Sequence, residues 1–448
     1  MSFPPNAFIR DPIPRVLLRT ALPIILLTSV NGLLTVVDAM LLGAFVGPEA
    51  LAAVTLVFPV SMALIALATM VSSGMASILA RQLGGGQIDK AQASFAGAHG
   101  LAALLCLLLA IIFALGGRPL VAALTTDADL AGMSFQFLAI SILAAPLALV
   151  GSIHSDALRV EGRIGFMALA GLAVTLGNIA FNLLLIAGLG LGVAGSALGT
   201  ALAQALALAL MIAFRLKGQA ILSLRLRLQN IATSWREMLA LGAPRSLSFL
   251  GIALGAAATI AAVRLHVGGR QDVVIAAYGA ITRMMTFTYL PLLGLSLGMQ
   301  AVVGNNHGAG LTDRSRLAFR LAAGTALVYC AVVQVLLFLL RGNLGYLFVA
   351  DPRVVAEVAR ILPFYAALYL TLGPMMMVAS YLQSIGDARR SAFLSLARTY
   401  LFAVPLTFTL PLAVGEYGIW IALPLADLLL LLTTLITLRN IAPSPATA

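Results

Sequence analysis

The stretch LLRTALPIILLTSVNGLLTVVDAMLLG, Leu17–Gly43, decides the fold. From Thr20 onward it is apolar over a length that crosses a bilayer, and Asp38 is its one ionisable residue. A carboxylate inside a bilayer costs about 2.5–3.5 kcal/mol on insertion scales, so it usually faces the protein interior and carries function. Asn31 lies seven residues earlier, two turns away on the same helix face. Pro23 removes a backbone donor and gives the helix a place to bend. The stretch reads as a helix that holds one proton or cation and moves. Asp38 also lies close to Gly43, where the run ends, so a solvated place at the outer interface is the alternative.

The rest of the chain has the same character. Of its 448 residues 61% are hydrophobic and only 10% charged, against roughly 25% charged in soluble domains. Twelve apolar segments occur, at 15–42, 50–80, 95–116, 131–157, 165–188, 192–214, 238–263, 273–303, 317–340, 361–383, 391–414 and 417–438. The reading is an all-α polytopic membrane protein. The first segment is too long for the core of a cleaved signal peptide, so it is expected to stay.

The net charge of +11 sits in short loops, which points to membrane orientation and not to nucleic acid. With the N-terminus cytoplasmic, 18 of the 27 basic residues fall on the inside and six on the outside, so both termini are expected to be cytoplasmic. Cys106 and Cys330 each lie in an apolar run and read as small buried hydrophobes. The four histidines are scattered without metal-ligand spacing, no nucleophile–base set is visible, and no ATP motif occurs. The expectation is therefore no enzyme, no metal and no cofactor, with an ion gradient as the energy source.

The two halves repeat. An offset of 224 pairs Gly74-Met75 with Gly298-Met299, Gly84 and Gly86 with Gly308 and Gly310, Cys106 with Cys330, and Asp127 with Asp351. A basic break carrying Leu224–Leu228 in Leu/Arg alternation separates the halves and reads as lying on the membrane surface. The expected organisation is an N-terminal lobe over 1–216, a cytoplasmic linker over 217–236 and a C-terminal lobe over 237–448. Two pseudo-symmetric six-helix lobes of this kind enclose a central cavity that opens alternately to each side.

At Leu22-Pro23, VDAMLLGAFVG (Val37–Gly47), ALAAVTLVFP (Ala50–Pro59) and ARQLGGG (Ala80–Gly86) the chain resembles the multidrug and toxic compound extrusion (MATE) transporters, DinF-like bacterial branch. IAAYGAITRM (Ile275–Met284) and GNNHGAG (Gly304–Gly310) are the second-half counterparts. The resemblance spans essentially the whole chain. It implies an antiporter of a bacterial cytoplasmic (inner) membrane working by alternating access, and because the chain is internally duplicated it is expected to function as a monomer. It would export amphiphilic or cationic small molecules, drugs and toxins, against inward H+, with Na+ as the other candidate. It also implies that Asp38 is the coupling residue, with Asn178, Asn182 and Thr200 forming a polar network around it. Some members carry a second carboxylate where this chain has Asn182, which tilts the expectation towards H+. A lipid-linked precursor flippase of the same superfamily is the alternative; it would need a strongly basic cavity.

Several other residues carry two readings each. Asp427 is a second protonatable or substrate-contacting group, or a structural carboxylate neutralised by a segment arginine such as Arg398. Arg283 either shapes or gates the central cavity or has no such role. Arg245 reads as an interfacial anchor. Met375–Met377, with Met284, Met285 and Phe287, line an adaptable pocket, or face lipid or pack in the core. The prolines inside segments are static kinks or hinges. Gly84–Gly86 and Gly308–Gly310 lack the Lys-Ser/Thr of a phosphate-binding loop and read as turns.

Overall fold

Long apolar runs with internal repetition build two helical lobes. The computed structural model describes residues 7–439, the side chains of residues 33, 35–40, 42–44, 48 and 438–439 excepted. The first lobe comprises Ile13–Phe45 (α2), Pro48–Gly84 (α3), Ile88–Leu124 (α4), Ala128–Leu143 (α5), Ala145–Val160 (α6), Ile164–Asn182 (α7) and Gly192–Leu216 (α8), after a short Ala7–Arg10 turn (α1). The second comprises Trp235–His266 (α9), Gln271–Gly308 (α10), Thr312–Leu344 (α11), Pro352–Tyr365 (α12), Tyr369–Ile385 (α13), Ala388–Leu396 (α14), Val404–Val414 (α15) and Tyr417–Arg439 (α16).

Among the described residues ten helices are long and apolar enough to cross a bilayer, and counting each of the bent pairs α5/α6 and α12/α13 as one span brings the number to twelve. The bends, of 44° and 52°, fall at Ala144 and at 366–368, repeat-equivalent places in the fourth span of each lobe. Pro146 in the first turn of α6 and Pro363 near the end of α12 remove backbone donors beside them. The fifth span of each lobe contains a π-helical stretch, Leu183–Gly188 after α7 and Ala397–Ala403 after α14. The helix α2 continues unbroken through Pro23.

The lobes touch along a seam made of backbone. A Cβ on Gly74 of α3 would lie 2.1 Å from the Met238 carbonyl oxygen of α9, and one on Gly242 1.8 Å from that of Met70. Only glycine permits helices so close. At the ends of α3 and α10 the repeat-paired Gly84 and Gly308 do the same against the Asn305 and Arg81 carbonyls, at 2.0 and 1.9 Å. These glycines therefore seat the lobes on each other, while Gly86 and Gly310, with φ of +70° and +75°, turn the chain.

Ion pairs and carbonyl contacts reinforce the seam. Arg81 donates to Glu237 at 2.6 Å and to the Ser384 carbonyl at 3.2 Å across it. The inter-lobe segment between α8 and α9 lies at this same end. There the fully buried Arg215 bonds Glu161 at 2.7 Å, His154 at 2.9 Å and the Leu222 carbonyl at 2.9 Å, while the Ile221 N–H donates to Glu161. Ala220 and Leu222 are accordingly buried, whereas Leu226 and Leu228 are exposed.

Candidate functional site

Beyond the seam the lobes part around two adjoining cavities. The larger, about 620 Å³, is lined mainly by the first lobe: Asn31 from α2, Ser72 and Ser73 from α3, Asp156 from α6, Thr200 and Gln204 from α8. Leu64, Ile65, Phe137 and Leu297 give it apolar walls, and Arg245 and Phe249 of α9 close its second-lobe side. The smaller, about 150 Å³, lies within the second lobe between Arg245, Tyr289, Met375, Met376, Ser380 and Arg398. Arg245 belongs to both.

Behind the larger cavity the first lobe carries a relay of neutral amides and hydroxyls. Asn182 donates to Asn178 Oδ1 at 3.1 Å, Asn178 to Thr200 Oγ1 at 2.8 Å, and Thr200 to the Ser196 carbonyl at 3.1 Å. Thr175 donates to Asn31 Oδ1 at 2.7 Å. Asn178 and Asn182 are one turn apart and buried, directly before the π stretch. Gly199 makes room for this: a Cβ there would lie 2.0 Å from Asn182 Oδ1. So the structure brings Asn178, Asn182 and Thr200 into one chain and places Asn31 and Thr200 at the cavity wall. The backbone of Asp38 continues α2; its side chain lies outside the described residues.

In the second lobe the corresponding place is ionic. Asp427 of α16, 3% exposed, accepts from Arg398 Nε at 2.5 Å and Nη2 at 3.2 Å, a bidentate pair with Arg398 on the π stretch. Arg398 lines the smaller cavity and Asp427 stands behind it. Of the two sequence readings of Asp427, the geometry is that of the paired carboxylate.

Arg245 differs from its expected place as an interfacial anchor. The first half of α9 packs into the seam, which carries Arg245 to the floor of the cleft. Arg283 is exposed on α10 and lines neither cavity. Of the methionines, Met375 and Met376 line the smaller cavity, while Met377 and Met284 are core.

Asp156 was not singled out from the sequence. It pairs with Arg159 at 3.0 Å, and Arg159, 1% exposed, also donates across the lobes to the Leu297 carbonyl at 2.7 Å and to Gln300 at 3.1 Å. The Asp-x-x-Arg spacing at the end of an apolar run was its available signal. Among the described residues no group of three or more His, Cys, Asp or Glu is placed to hold a metal ion.

Two six-helix lobes closed at one end around a polar-floored cleft define a membrane transporter of the alternating-access type. The MatE family model matches the chain twice, over residues 23–184 and 248–409, and the chain belongs to this family of transporters. It is 26% identical to a FAD transporter of Shewanella oneidensis over 95% of this chain and 94% of the relative. It is 24% identical to the multidrug export protein MepA of Staphylococcus aureus over 96% and 94%. Among solved structures it superposes with a TM-score of 0.86 on the outward-facing conformation of a multidrug resistance MATE family transporter, 21% identical and covering 98% of both chains.

Proposed function

We propose that this chain is a secondary active antiporter that exports amphiphilic or cationic small molecules in exchange for H+, or Na+, at a first-lobe site formed by Asp38 and the Asn178–Asn182–Thr200 relay. The observation that carries this reading is the relay itself. It runs from a buried helix pair to Thr200 at the wall of the larger cavity, so a change of charge on the facing helix would be felt at the substrate's place. Protonation of Asp38 would remove a costly charge and free α2 to bend at Pro23. No second chain is needed for the pathway, because one chain supplies both lobes.

The closed seam lies at the end that carries most of the basic residues. With that end cytoplasmic, and the protein in a bacterial cytoplasmic membrane, the structure is outward-open. Among the described residues the charges lining the two cavities are Asp156, Arg245 and Arg398, with Arg159 and Asp427 pairing two of them. That balance does not favour the flippase reading, which calls for a strongly basic cavity. The relative that is a FAD transporter adds flavin nucleotides to the substrates worth testing.

The test is efflux of ethidium from proteoliposomes under an imposed pH or Na+ gradient, for wild type and Asp38→Asn. Efflux that follows one gradient and is lost in Asp38→Asn is expected. Undiminished gradient-driven efflux in the mutant would move the coupling elsewhere, and efflux under neither gradient would overturn the exporter reading.

A further inference from the structure

We infer that Arg245 is an anion-recognition residue, and that the cleft takes amphiphiles whose apolar body carries a carboxylate or phosphate. This deepens the exporter reading and rests on it. Among the described residues no hydrogen bond and no ion pair reaches the Arg245 guanidinium, although it lies part-buried where both cavities meet. The other two cavity-lining charges among the described residues have partners of their own: Asp156, the acid whose field reaches Arg245, is bonded to Arg159, and Arg398 is bonded to Asp427.

A guanidinium inside a membrane protein is costly without a counter-ion, and its planar fork matches carboxylate and phosphate oxygens. The charges around the described cleft floor leave Arg245 as the excess: Arg159, Arg245 and Arg398 against Asp156 and Asp427. A second donor lines the same cavity from the first lobe. Ser73 of α3 lines the larger cavity, is 1% exposed, and its hydroxyl has no hydrogen-bond partner among the described residues. Leu64, Phe249 and Leu297 give the same cavity an apolar lining that suits a flat apolar body, and about 620 Å³ is within the usual range for a small-molecule site.

The experiment compares riboflavin with riboflavin 5′-phosphate (FMN), which share one ring system and differ by a phosphate. Binding to the full chain in phosphatidylcholine nanodiscs is read by flavin fluorescence. FMN is expected to bind at least about tenfold more tightly than riboflavin, and Arg245→Gln to bring the two within about twofold. Arg283→Gln is expected to leave the preference unchanged. Should Arg245→Gln not yield monodisperse protein, Arg245→Lys replaces it, with an intermediate preference expected because the charge stays and the fork is lost.

Equal affinities in wild type, no saturable FMN binding, or a preference that survives loss of the guanidinium would each overturn the inference. Ethidium efflux from the same preparations separates the two readings. Efflux without FMN preference removes the anion site and leaves the exporter; FMN preference without gradient-driven efflux of ethidium or FMN does the reverse.

Discussion

The two lobes share a helix plan and differ in what they place at its fifth span. In the first lobe the π stretch follows Asn178 and Asn182, and the described groups that meet there are neutral. In the second the π stretch holds Arg398, locked onto Asp427. π-Helical turns inside α-helices are frequent at functional sites, because the extra residue turns side chains towards a neighbour. A neutral relay can exchange donors and acceptors with little change in energy. A buried bidentate ion pair cannot. On the proposed reading the first lobe is therefore the one that rearranges and the second the one that stays rigid.

Breaking the rigid side should have the largest effect. Asp427→Ala leaves Arg398 without its partner and is expected to destabilise by about 3–5 kcal/mol, seen as a lower unfolding temperature in detergent. The double variant Arg398→Met with Asp427→Leu should recover most of this. If it does not, the pair has a role beyond neutralising itself.

Next comes the surface on which both lobes rest. Gly242→Ala drives a methyl into the Met70 carbonyl, and such overpacking costs about 1–3 kcal/mol. Because the strain falls on the closed end, spin-label distances across the seam should lengthen in this variant. Unchanged distances would mean that the strain is absorbed within one lobe.

Asn178→Ala removes the middle of the relay and is expected to cost about 1–2 kcal/mol, with a larger loss of gradient-driven transport than of stability. Equal losses would reduce the relay to a packing device. The smallest effect is expected at Glu237→Gln: its pair with Arg81 is half-exposed, so less than about 1 kcal/mol should be lost in thermal unfolding.

Much of this plan was legible in the sequence because membrane helices must satisfy their own backbone, so that length and apolarity alone mark them. Apolar segments such as 192–214 and 273–303 lie within the observed α8 and α10, which run on past the hydrocarbon-length core at one end or both. The pairing of Asp427 with Arg398 could be anticipated because a buried carboxylate needs a cation and few arginines fall inside apolar runs. Arg245 could not be placed. Position along a helix says how deep a residue lies, but not that the facing helix approaches through glycine and opens a cleft just beyond. Asp156 was overlooked for a related reason: its cavity exists only once two lobes are set side by side.

The close approaches of Gly74, Gly242, Gly84 and Gly308 to the facing carbonyls have a kinetic consequence. Interlocked side chains must leave their rotamer wells before two surfaces separate, and each such escape adds friction. Where two bare backbones meet there is no side chain to unhook, so the Arg81 and Arg159 contacts across the lobes are the ones that must break first. Surfaces of that kind give way a little at a time along their length, so these stretches add little friction to the opening of the closed end.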